Sequence, residues 1–93
     1  MVNKNIIKLI KKLDILDNSF LKLIKKRTYL VKQVLKNKRF KKDIVDKKRI
    51  SIILKKISSK SKKNRIDPKI TVKIWTAMIK AYIDYELRNF KNK

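Results

Sequence analysis

A chain of 93 residues with no glycine and a single proline, Pro68, has little to fold into except helix. The residues that build tight turns and interrupt helices are nearly missing from it. Ile, Leu and Lys recur at spacings of three and four, strand-like alternation is nowhere sustained, and the reading is all-α. From Ile6, the series Ile6, Ile10, Leu13, Asp17, Phe20, Ile24, Arg27, Val31, Val34 follows one helix face, with Lys38 next in step. This predicts a first helix of roughly 30 residues, about 45 Å long, which the rest of so short a chain cannot cover. It needs a partner helix from a second copy. A domain of this size buries only roughly 60–65% of its unfolded surface, so added burial in a homodimer is the expectation.

The break after this helix is weakly marked, since Asn37 to Lys42 hold neither Gly nor Pro. Asp43 or Asp46 is placed to start a second helix, where a carboxylate meets free N–H groups and the positive end of the dipole. Ile50, Ile53 and Ile57 supply its buried face, and the polar run Ser58 to Asn64 reads as a loop or frayed end. Asp67-Pro68 is the clearest boundary in the chain, with Asp suited to the N-cap and Pro to the first helical position. A third helix is expected from about Pro68 to Phe90, its inner face formed by Trp75, Met78, Ile79, Tyr82, Glu86 and Phe90. Residues 1–93 are read as one domain of three helices.

Cysteine and histidine are both absent, which excludes disulfides, thiol catalysis, His-based acid–base chemistry and the usual zinc sites. Any chemistry must use Lys, Arg, Asp, Glu or Tyr. No apolar run exceeds three residues, so neither a membrane span nor a signal peptide is expected, and the chain reads as cytoplasmic. The formal charge of +22 favours anionic partners. A basic helical nucleic-acid-binding module is therefore one hypothesis and a helix lying on a membrane another. Against a selected electrostatic role stands composition, because Lys, Ile, Asn, Phe and Tyr, all encoded by AT-rich codons, make up 52 of the 93 residues. Nothing resembles a groove-reading helix with its positioning turn, Trp75 and the tyrosines read as core, and no specific nucleic-acid partner is expected. Asp17 and Arg27 interrupt the apolar face that a membrane-lying helix would insert.

Those interruptions carry the functional argument. A charge at an apolar helix interface costs several kcal/mol unless it is paired or hydrogen-bonded. Singly, Asp17, Arg27 and Glu86 are most simply half-exposed or paired with each other. Together they say more. Arg27 and Lys38 stand eleven residues, or three turns, apart on one face, and two cations aimed inward suggest a bound anion. Lysine outnumbers arginine 24 to 5, yet Arg27 occupies the middle of the first seam and Arg49 follows Asp46 at the start of the second helix. Arginine offers the planar fork that grips a carboxylate with two bonds. Glu86 is the chain's one glutamate and lies on an otherwise apolar and aromatic face, a setting that favours the protonated, donating form of a carboxyl group.

In these residues the chain resembles the all-helical class of chorismate mutases and the related isochorismate-pyruvate lyases. The similarity covers nearly the whole chain: Leu13-Asp14-Ile15-Leu16-Asp17, then Arg27, Lys38 and Asp46-Lys47-Lys48-Arg49, then Ile66-Asp67-Pro68 and the stretch Ile74 to Leu87. It implies three helices per chain intertwined as a homodimer. The implied activity is the [3,3]-sigmatropic rearrangement of chorismate to prephenate in the shikimate pathway to Phe and Tyr, with no cofactor or metal. The protein's task is to hold a dicarboxylate in a compact conformer and stabilise charge on the ether oxygen. The resemblance assigns Arg27 and Arg49 to the carboxylates, Lys38 to a carboxylate and the ether oxygen, and Asp46 to the ring hydroxyl. Glu86 matches a Gln or Glu position that donates to the ether oxygen, which a glutamate does only when protonated.

Three positions depart from the pattern. Ile10 stands where the family places an arginine that crosses into the partner's site, and Lys11 or Lys8 is the nearest cation to stand in. Ile50 replaces a frequent glutamate, and Tyr82 a small hydroxyl residue that contacts substrate; this pair is closer to the lyase branch. Chorismate mutase is the first reading, isochorismate-pyruvate lyase the second, and a nucleic-acid-binding protein the third.

Overall fold

The structure, a computed structural model, describes residues 3–91. The chain divides into two compact units, one ending at Gln33 and the other beginning at Val34. Among the described residues there are three α-helices: α1 (Lys4–Lys36), α2 (Lys47–Lys63) and α3 (Pro68–Asn89). None is long and apolar enough to cross a membrane.

The first unit is made by α1, a helix of 33 residues and so about 50 Å long. Asn3 starts it, its side-chain oxygen accepting from the Asn5 N–H at 2.7 Å and its carbonyl from the Ile7 N–H at 3.1 Å. The expected apolar seam is present and uncovered. No residue of α1 is buried, and Leu13 and Phe20 remain 57% and 51% exposed. One expectation fails on the other side of the helix. Tyr29 is 62% exposed and belongs to no core, whereas Trp75, Tyr82 and Tyr85 on α3 are half-buried.

The end of α1 corrects a second expectation. The Asn37 and Lys38 amides turn back three residues, onto the Val34 and Leu35 carbonyls at 3.0 and 3.1 Å. The helix thus closes at Lys36, and Lys38 lies beyond it instead of continuing its face. A short 3₁₀ turn, Lys41–Asp43, follows and delivers Ile44, the one buried apolar residue among those described.

Of the two candidate aspartates, Asp46 is the N-cap of α2, accepting from the Arg49 amide at 3.0 Å, and Asp43 sits within the 3₁₀ turn. Ile50, Ile53 and Ile57 form the half-buried face of α2 as expected. The segment from Ser58 to Lys63, expected as a loop or a frayed end, is instead the regular last part of this helix. The cause is tertiary. Ser61, one step further along the Ile50, Ile53, Ile57 face, is buried, and its hydroxyl bonds the Ile57 carbonyl at 2.6 Å and the Thr71 hydroxyl on α3, also at 2.6 Å. α2 ends in a reciprocal cap, with the Ile66 amide donating to the Ser61 carbonyl at 2.8 Å and the Arg65 amide to that of Lys62 at 3.1 Å. In the absence of any glycine, Arg65 takes the left-handed position, φ 58°.

Asp67 and Pro68 open α3 as the sequence indicates, the Asp67 side chain accepting from the Lys69 amide at 2.9 Å. α3 packs on α2. Its expected inner face is found, with Trp75, Met78, Ile79, Tyr82 and Phe90 half-buried and Glu86 buried at 7% exposure.

Candidate active site

A carboxylate on an apolar face must find a partner or stay wet, and Glu86 finds one. Lys38 Nζ donates to Glu86 Oε1 at 3.3 Å and to Oε2 at 3.4 Å. This ion pair joins points 48 residues apart in a chain that carries 29 cations. The pair has a local origin. Release of the chain from α1 at Lys36 lets Lys38 leave the helix surface, while α3 presents Glu86 from the same face as Tyr82, one turn earlier. The lysine side chain keeps 22% of its surface exposed and the glutamate 9%. An ammonium with three donors, forked over one carboxylate, retains capacity for a further acceptor.

Asp46 and Arg49 meet at the start of α2, on exposed positions. Asp46 accepts from the Arg49 amide through Oδ1, and Arg49 itself is exposed in the first turn. The helix N-terminus adds its partial positive charge there. Lys38, Glu86, Asp46, Arg49 and Tyr82 all belong to the second unit. Arg27 and Lys11 lie on α1 in the first unit, Arg27 half-buried and partnered, Lys11 exposed. Asp17, also on α1, is exposed. Among the described residues no cluster of acidic groups is placed to hold a metal ion.

A family model for chorismate mutase type II matches residues 4–87. The chain belongs to the chorismate mutase type II family. Every site residue singled out from the sequence, from Lys11 to Glu86, falls inside the matched span, as do all three helices except the last residues of α3. Family membership supports chorismate mutase-type activity and an anionic substrate. No curated protein and no solved structure matches the chain.

The contact between Lys38 and Glu86 was not specified by periodicity, since it joins points 48 residues apart. What could have suggested it is the isolation of Glu86: a lone glutamate on an apolar face requires a cation, and Lys38 is the next residue in step with the α1 seam.

Proposed function

We propose that this protein converts chorismate to prephenate, as a homodimer, using only its own side chains. The observation that carries the reading is the part-buried Lys38–Glu86 pair, within a chain matched by the family over residues 4–87. The reaction breaks one C–O bond and forms one C–C bond within a single molecule, so an enzyme contributes by fixing the reactive conformer and by answering the charge that gathers on the ether oxygen. In this reading Lys38 and Glu86 flank that oxygen, Lys38 donating as an ammonium and Glu86, which accepts from Lys38 as a carboxylate in the free protein, donating once substrate parts the two and it takes up a proton. Arg49 and Arg27 hold the two carboxylates, and Asp46 accepts from the ring hydroxyl through the oxygen that does not cap α2. Tyr82 borders the substrate one turn from Glu86, and Lys11 supplies the cation that Ile10 lacks.

Dimerisation rests on α1. Ile6, Ile10, Leu13, Phe20, Ile24 and Val34 are 40 to 57% exposed on one face. Covering each against a second copy is worth on the order of 1 kcal/mol, and together they match the scale of a small domain's whole stability. Each copy, residues 1–93, then forms one domain completed by the other.

A second reading, isochorismate-pyruvate lyase, is favoured by Tyr82 and Ile50. The two are separated by incubating the purified protein with chorismate and with isochorismate and identifying products: prephenate from the first supports the mutase, salicylate and pyruvate from the second the lyase, and no product from either contradicts both.

A further inference from the structure

The proposed dimer seam and the proposed active site leave one face of α1 unused. Tyr29 lies two residues from both Arg27 and Val31, which puts it on the opposite side of α1 from the apolar seam. A tyrosine 62% exposed there contributes nothing to a core. Among the described residues its ring and hydroxyl have no hydrogen-bond, ion-pair or ring partner. Its neighbours on that face are cations: Lys22 two turns before it, Lys25 and Lys26 one turn before, Lys32 one turn after, all exposed. From Asn18 to Lys42 the sequence contains no acidic residue, so no internal carboxylate neutralises them. Lys22, Lys25, Lys26, Tyr29 and Leu30 line a shallow concavity whose walls are lysine stems and the ring.

We propose that this face of α1 binds single-stranded RNA without sequence preference, Tyr29 stacking on a base and Lys22, Lys25, Lys26 and Lys32 meeting the flanking phosphates. A flat aromatic ring set among cations matches what a single strand offers, a splayed base bordered by phosphates at short intervals. Lys22 and Lys32 are about 15 Å apart along the axis, a span of two to three nucleotides. A duplex fits worse, because its bases stack on one another and give the ring nothing to cover. Lysine in place of arginine, and one aromatic in place of a row, imply weak, sequence-tolerant and strongly salt-dependent binding. The enzyme would thereby be retained on cellular RNA.

The test is fluorescence anisotropy of the full chain with a fluorescein-labelled oligouridine about twelve nucleotides long, a duplex of equal length, and vesicles of phosphatidylglycerol. Four phosphate contacts to a single strand predict an affinity loss of about 50-fold between 50 and 200 mM salt. Tyr29→Ala weakens oligouridine binding roughly tenfold at fixed salt, Tyr29→Phe does not, and Lys25→Ala lowers the salt slope. Circular dichroism shows both Tyr29 variants to be as helical as the parent. Equal affinity for the duplex, indifference to Tyr29→Ala, or binding to vesicles in preference to the oligomer overturns the proposal. Since Tyr29 has no part in the proposed chemistry, chorismate turnover by Tyr29→Ala stays unchanged and the two readings fail separately.

Discussion

Both oxygens of Glu86 face the ammonium of Lys38, at 3.3 and 3.4 Å, across 48 residues of chain and with the glutamate almost wholly buried. Without a ligand the two groups answer one another. With a substrate between them, in the proposed site, the same two groups address one ether oxygen, so a pair that stabilises the fold is also poised to be divided by the reacting atom.

Removing one member should therefore cost stability and activity by different routes. Lys38→Met strands the Glu86 carboxylate and is expected to destabilise the protein by about 1–3 kcal/mol, while kcat falls about 100- to 1,000-fold with loss of the charge on the ether oxygen. Adding Glu86→Gln to Lys38→Met removes the stranded charge and recovers most of the stability but none of the rate. Urea denaturation and chorismate turnover of the two variants check this. Recovery of activity in the double variant would contradict the assignment of Lys38.

The pH profile tests Glu86 itself. A carboxyl group donates to the ether oxygen only when it carries its proton, and a carboxylate only accepts. Gln donates at every pH. Glu86→Gln should then flatten the alkaline fall in kcat; a profile that keeps its shape in the variant removes Glu86 from this role.

Dimerisation is tested on α1, whose Leu13 is 57% exposed. Sedimentation equilibrium should show a dimer at micromolar concentration, with Tm rising as protein concentration rises. Leu13→Glu sets a charge on the seam and is expected to dissociate the dimer and lower helicity. A monomer that melts cooperatively at a concentration-independent Tm contradicts the proposal.

Arg65 holds a left-handed backbone conformation that a side chain disfavours by roughly 1–2 kcal/mol. Glycine relieves this and makes the unfolded chain more flexible, which takes back about 0.4–1 kcal/mol. Arg65→Gly is expected to stabilise the protein by about 0.5–1 kcal/mol, read as a higher urea midpoint at fixed protein concentration.

What the sequence discloses here follows the range of the forces involved. Asp46 and Asp67 cap their helices through amides two or three residues away, and that chemistry is written in neighbouring letters. The inner face of α3 was legible for the same reason, since periodicity alone selects Trp75, Met78, Ile79, Tyr82 and Glu86. Ser61 was not, because a serine-rich run is polar until Thr71 on another helix supplies the hydroxyl that makes burial tolerable. Counting residues puts Lys38 on the α1 face, and only the tightened turn at Asn37 and Lys38 takes it off that face and brings it to Glu86. Residue type alone puts Tyr29 in the core, whereas its position two residues from Arg27 and Val31 sets it opposite the seam.

The most direct measurement is conversion of chorismate to prephenate by the purified chain between about pH 5 and 8, with Arg27→Ala alongside. The account predicts turnover that is strongest toward the acidic side and severely reduced in Arg27→Ala. Absence of turnover by the unaltered protein throughout that window contradicts it.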